Sequence, residues 1–453
     1  MKNSVGLFIL TLSFFCSCIS GQSSTKGHFD AATRPKDLSD SALLDLVQKQ
    51  TFRYFWDFAH PVSGLARERS NTAAYGHETT TIGGTGFGVM SVIVATERKY
   101  ISRDTAAKFL LKMLKFLMNA DKYHGAFPHW MNGSTGKTIP FSDKDDGGDL
   151  VETSYLFQGL LCARQYFNGN GQSETQLREK VSLLWQGVEW DWYTRNGQDV
   201  LYWHWSPKNE WAMNFPVHGY NECLILYILS SASEQHPVKS TVYHNGWTNS
   251  NFFRNGKTYY GYELPLGFDY GGPLFFSHYS FLGLDPRGLK DQYADYWKQN
   301  QNHTLINYSY CVDNPKEFKG YGQNCWGLTA GDTYDDGYDA YSPANDGGTI
   351  APTAALSAFP YTPDKSMKAL KHFYYDLGDK IWSEYGFVDG FNETKNWYAK
   401  SHLAIDQGPI IVMIENYRSG LLWKLFMSCP EIQQSLKKLN FTSPWMKERA
   451  VVK

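Results

Sequence analysis

The sequence predicts an all-α fold, a closed (α/α)6 toroid of six inner and six outer helices with long loops on one rim. Three observations predict it. Helical periodicity dominates the chain, and alternating strand-like runs are scarce. Six segments that are apolar almost all round each follow one or two glycines. The segments between them carry charge on one face. An all-round apolar helix belongs in an interior and a one-faced helix belongs outside, so inner and outer helices alternate.

In chain order, SALLDLVQKQTFRYFWDFA (41–59) has apolar residues at three- and four-residue steps and reads as an outer helix. TIGGTGFGVMSVIVA from Thr81 is the first inner start. AAKFLLKMLKFLM (106–118) is the next outer helix, and DGGDLVETSYLFQGLL from Asp146 is the second inner start. SETQLREKVSLLWQGVEWDWY (173–193) is outer again. HGYNECLILYIL from His218, YGGPLFFSHYSF from Tyr270, DGGTIAPTAALSAF from Asp346 and DQGPIIVMIENY from Asp406 supply the remaining inner starts. Their spacing of about 50 to 75 residues exceeds the short solenoid periods and suits helix pairs joined by long loops. Parallel inner helices would gather their N-termini on one rim, where the aromatic loops would form a cleft. No convincing linker interrupts the chain after residue 40, so 40–453 reads as one domain.

Ahead of it, Lys2 and the apolar run 5–15 read as an export signal ending near residue 20, too short to span a bilayer. Cleavage after Ser20 would release the chain. Lipidation of Cys18 would tether it to a membrane, giving a periplasmic or outer-membrane-tethered protein. Residues 21–39 are a polar lead-in. The net charge of −2 lacks the basic footprint that nucleic acid asks for. A monomer is expected. Cys162, Cys223 and Cys429 lie in or beside apolar helical segments and read as buried thiols. Cys311 and Cys325 bracket a loop that a disulfide would close in an oxidising compartment, contributing about 3 kcal/mol. No CxxC or HExxH motif points to a metal, GTGFG (84–88) follows no strand, and no GxSxG occurs, so no cofactor or metal is expected.

The stretch DKDDGGDLVETSY (143–155) puts five carboxylates into the ten residues from Asp143 to Glu152. Read as an EF-hand loop it fails, because Ser154 falls where the bidentate Glu is required. Helix capping accounts for one or two acids, since free N–H groups and the helix dipole favour anions at a start. It does not account for five. Glu222 and Asp406 occupy comparable places at other inner-helix starts, and Asp346 and Asp269 precede two further glycine pairs. Ring closure would bring such acids to one cleft mouth. Carboxylates that face each other across a cleft, one protonated and one ionised, are what glycoside hydrolysis needs. Aromatic residues make up 16% of the chain, and many lie among polar neighbours in loops, a pattern suited to sugar rings. Trp130, Trp205, Tyr220, Trp326 and Tyr398 are the candidate sugar-facing rings.

TFRYFWDFAHPVSGLARERS (51–70), TIGGTGFG (81–88), DDGGDLVETSYLFQGLL (145–161), GYNECLILYILSSASEQHP (219–237) and NWYAKSHLAIDQGPIIVMIENYRSGLLW (396–423) together resemble the bacterial glucoamylase-like domain family, which includes the β-1,2-glucanases of Bacteroidetes. The resemblance covers roughly residues 40–440. It implies the (α/α)6 fold and hydrolysis of β-1,2-glucan with inversion of configuration. It also implies Glu222 as general acid, Asp406 as general base, and Asp145, Asp149 and Glu152 as acids that matter for activity. Three alternatives stay open. They are a glycosidase or transglycosylase on another linkage, a surface glycan-binding lipoprotein without catalysis, and a polysaccharide lyase on the same toroid. The acid-rich rim argues against the last two.

Overall fold

A computed structural model describes residues 30–446. The export signal and Cys18 lie outside the described residues. The helices in chain order are α1 (Asp40–Trp56), α2 (Thr72–Tyr75), α3 (Ile82–Glu97), α4 (Arg103–Asn119), α5 (Leu150–Tyr166), α6 (Gln172–Gln186), α7 (Leu224–Ala232), α8 (Tyr296–Asp313), α9 (Pro352–Leu356), α10 (Pro363–Lys371), α11 (Gly378–Ile381), α12 (Ala404–Arg418), α13 (Leu421–Met427) and α14 (Pro430–Lys438). Strands are confined to hairpins and short pairs, of which Thr79–Thr81, Trp130–Asn132 and Thr138–Ile139 form the one three-stranded sheet among the described residues.

The predicted alternation holds. α3 and α5 are buried over nearly their whole length, whereas α4 and α6 bury one face. Capping fixes several starts: the side chains of Ser39, Ser102, Asp149 and Asp295 each accept from a backbone N–H in the first turn of α1, α4, α5 and α8. Each cap is worth about 1 kcal/mol. Close packing of the inner helices depends on small residues. A Cβ on Gly86 of α3 would sit 2.2 Å from the Tyr155 carbonyl oxygen of α5, and one on Gly159 would sit 2.1 Å from the Gly86 oxygen. The two backbones therefore touch where neither carries a side chain.

Two inner positions depart from the prediction. At the fourth, Tyr270, Gly271 and Gly272 all have left-handed φ (59°, 99° and 77°), and Pro273 follows. Three such residues cannot nucleate an α-helix, and the segment proceeds as 3-10 turns at Asp269–Gly271, Leu274–Ser277 and Ser280–Leu282. At the fifth, α9 is only five residues long. The fourth outer position is a short π-type turn, Val242–Trp247.

Several side-chain expectations are corrected. Trp326 is fully buried in a core cluster with Leu328, Ala355 and Leu370, and its indole N–H donates to the Lys365 carbonyl at 3.4 Å. Tyr220 is also core, with its hydroxyl donating to Asn300 Oδ1 at 3.1 Å. The polar sequence context suggests a ligand platform in both cases, yet the ring fills the interior. Cys311 and Cys325 are not bridged. Both are free, buried thiols in the same cluster, packed as small apolar groups.

Candidate active site

The rim at the N-termini of α3, α5, α7 and α12 surrounds a hollow of about 270 Å³. Its polar wall includes Glu68, Arg69, His129, Glu152 and Glu222, and its rings include Tyr75, Trp130, Phe141, Trp203, Phe275, Tyr279 and Tyr338. Of the five predicted platforms only Trp130 lies here. Trp205 is turned toward His124 and Trp192, 4.9 Å and 5.7 Å away between ring centres. Tyr398 packs along Phe391 and accepts from Lys380 Nζ at 2.8 Å.

The acid run folds as three separate devices. Asp149 caps α5, accepting the Glu152 N–H at 2.8 Å with Oδ1. Its Oδ2 meets the Trp203 indole N–H and His129 Nδ1, each at 2.9 Å. Glu152 reaches across to the neighbouring inner helix and accepts the Gly83 N–H of α3 at 2.7 Å. A Cβ on Gly83 would lie 2.6 Å from that oxygen, so the glycine is what admits the carboxylate. Asp145 is buried beside them with Oδ1 unpartnered, 3.9 Å from His129 and 3.6 Å from His204 across its two oxygens. Burial, then the Asp149 charge, pushes Asp145 up to about 7. Burial likewise raises Glu152.

His129 sits among these acids. Burial pulls its pKa down, but Glu152, Asp149 and Asp145 together more than offset this and raise it to about 9. Nothing in the sequence around His129 marks it as part of this cluster. The ligand atoms of His129, Asp145 and Asp149 lie within 4.8 Å of one another, as do those of Cys325, His372 and Glu393. In the first group the imidazolium already supplies positive charge to both carboxylates.

Glu222 lies two residues before α7, with one face on the hollow. Burial raises its pKa to about 7. It is therefore a carboxyl group that carries its proton in mildly acidic water and gives it up near neutrality.

Asp406 lies in the first turn of α12 rather than ahead of it. Its carboxyl is buried behind Leu403 and Ile405, which line the hollow, and its Oδ2 has no partner. Burial first and then the adjoining Asp389 carboxyl raise its pKa well above the usual range, while Asp389 itself is raised by burial to about 7. Two adjoining buried carboxyls resist ionising together, so the pair retains a proton between them. The chain of contacts continues outward. Asp389 Oδ2 accepts the Asp332 N–H at 2.6 Å, Asp332 pairs with Arg69 at 3.0 Å, and Arg69 pairs with Glu68 at 2.8 Å. Glu68, Arg69, Asp332 and Asp389 were not predicted. Glu68 and Arg69 fall inside the motif at 51–70 and Asp332 inside the acidic run DTYDDGYD (332–339), but nothing local links them to residue 406. Asp346 and Asp269 stay out of the hollow. Asp346 accepts from Tyr321 and Gly348, and Asp269 pairs with Lys257.

Carboxyl groups that titrate apart around a ring-walled hollow are the equipment of sugar-transfer chemistry, and they place the protein among the glycoside hydrolases. The chain belongs to the bacterial glucoamylase-like family that contains the Bacteroidetes β-1,2-glucanases. Residues 214–430 match the Glycoamylase family. An endo-β-1,2-glucanase from Chitinophaga pinensis, solved with sophorotriose and glucose, is 55% identical with a TM-score of 0.88, over 90% of this chain and all of that one. An exo β-1,2-glucooligosaccharide sophorohydrolase from Parabacteroides distasonis is 45% identical over 431 residues, 90% of this chain. The chain spans 59% of that relative's length. An endo-β-1,2-glucanase from Talaromyces funiculosus, 10% identical with a TM-score of 0.60, shares the fold.

Proposed function

We propose that the protein hydrolyses β-1,2-glucan to sophoro-oligosaccharides with inversion at the anomeric carbon. The observation that carries this reading is Glu222, a half-buried acid raised to about 7, on the same hollow as Glu152 and His129, with Asp145 and Asp149 buried behind His129. Glu222 gives its proton to the glycosidic oxygen as the bond to the anomeric carbon breaks. Water attacks that carbon from the opposite face, and its proton passes to the Asp389–Asp406 pair. Asp406 lies behind the wall of the hollow, so the proton reaches it through a relay rather than directly. The pair is suited to this role because it holds one proton and one negative charge as a unit. Glu152, on the wall of the hollow and fixed by the Gly83 N–H, holds sugar hydroxyls, while the buried Asp149 positions His129 and Trp203, which line the same hollow.

The test is digestion of purified β-1,2-glucan, with products resolved by chromatography and the first-formed anomer followed by proton NMR. Sophoro-oligosaccharides of α configuration are expected. Retention of the β anomer, or cleavage only of β-1,3-, β-1,4- or α-1,4-glucans offered in parallel, would refute the mechanism or the linkage. Binding without any product would favour a glycan-capturing role instead. Export through residues 1–20, with release after Ser20 or lipidation at Cys18, belongs to the same proposal. The mass of the mature N-terminus distinguishes the two routes.

A further inference from the structure

A second hollow of about 530 Å³ lies on the surface between the segment 267–276 and the loop bearing Ser342 and Ala344. It shares both walls with the first. Phe275 and Tyr279 of one wall line the inner hollow while Phe276 lines the outer one, and Tyr338 precedes Ser342 on the other. The rings between them form a continuous series. Tyr279 lies 5.0 Å from Phe275, Phe275 lies 4.8 Å from Phe276, Phe276 lies 5.9 Å from Phe268, and Phe268 stacks on Phe252 at 4.9 Å. Phe252 and Phe268 are 55% and 36% exposed. Large apolar rings held in water on a loop lack the core-packing role that explains Trp326. Gly272 leaves the space they need, since a Cβ there would lie 2.9 Å from the Phe276 ring. Asn251 and Arg254 line the same hollow and offer polar groups at the ring edges.

We propose that Phe252, Phe268 and Phe276 form an outer glucan-binding track that holds the part of a β-1,2-glucan chain lying beyond the catalytic hollow. This inference rests on the proposed function. A pyranose ring has apolar C–H faces and a hydroxyl rim, which match exposed aromatic faces flanked by amide and guanidinium groups. The occupant follows from continuity: the series of rings begins in the wall of the catalytic hollow and ends at the surface. The track confers preference for long chains, because a short oligosaccharide fills the inner hollow without reaching Phe268.

The test compares Phe252→Ala, Phe268→Ala and the ring-preserving Phe252→Trp on β-1,2-glucan polymer and on sophorotriose, with thermal melts to check folding. For the alanine variants KM on polymer is expected to rise about tenfold, with kcat/KM on sophorotriose unchanged within about twofold. Phe252→Trp should restore the polymer KM. Equal losses on both substrates, or no loss on polymer, would overturn the track while leaving the functional reading intact. Wild-type enzyme inert toward β-1,2-glucan of any length would sink the functional reading and the track with it.

Discussion

Glu222 has water on one side and protein on the rest, and unlike Glu68 it has no cation paired with it, so its chemistry follows from that position. Replacing it with Gln keeps the shape and removes the proton. A fall in kcat of about 10² to 10⁴ is expected, with KM within a few-fold, by steady-state kinetics on polymer. In the parent enzyme activity should fall as pH rises through about 7, where Glu222 ionises and can no longer donate. Asp389 acts through its neighbour and is a positioning residue. Asp389→Asn replaces a group that competes for charge with one that can donate an N–H to Asp406. Burial still raises Asp406, but the next largest cause of its raised pKa disappears. The acidic limb of the pH–rate profile should move to lower pH, and an unmoved limb would separate Asp389 from the reaction. Neither Asp389 nor His129 was legible in the sequence. A shared proton between residues 389 and 406, or an imidazolium among acids from 145 to 152, has no signature in local spacing. Four of the five aromatic expectations fail for a related reason: whether Trp326, for example, points inward is decided by the Lys365 carbonyl and the core around it, far away in the chain.

At the level of elements, the glycine-marked starts were readable because they combine two strong local signals, a helix breaker and an all-round apolar run. The same signal misled at Tyr270, where the glycines serve a left-handed turn that prevents a helix. What the glycines do elsewhere can be separated by substitution. Gly86 serves the α3–α5 contact alone, with backbone as the obstructing atom. Gly86→Ala should destabilise the fold by about 2–4 kcal/mol, because backbone cannot swing aside. Gly83 is opposed chiefly by the Glu152 and Tyr155 side chains. Gly83→Ala should displace the Glu152 carboxylate at less cost to stability and more to activity. The measurement is a pair of ratios, the change in Tm and the change in kcat/KM for each variant. Equal ratios would show that Glu152 does not depend on the Gly83 N–H.

Across the whole molecule two sets of buried groups pull stability in opposite directions with pH. Asp145, Glu222 and Asp389 are all raised to about 7 by burial. Their unfolded values are about 4, so the native state holds their protons more tightly. Their contribution is fully present below about pH 4 and is lost as pH rises through 7. His278, His303 and His402 are lowered by burial to about 3, 4 and 3. For them the unfolded chain binds protons more tightly below about 6.5, so stability is lost as pH falls from there toward 4. The two trends overlap between pH 4 and 6.5 and largely cancel, which gives a flat stability profile in that range. Above 7 the lowered histidines no longer act, the ionised acids weigh against the fold, and the stabilisation from His129 is lost in turn as pH rises through about 9. A double variant, Glu222→Gln with Asp145→Asn, removes that burden. Its unfolding free energy should match the parent's near pH 4 and exceed it at pH 8 by on the order of 2 kcal/mol, reduced from the full linkage value because Glu222 faces water on one side. Thermal melts of both proteins from pH 4 to 9 measure the difference. A double variant no more stable than the parent at pH 8 would mean that these carboxyls ionise without cost, and Glu222 would then lack the raised pKa that a proton donor at neutral pH requires.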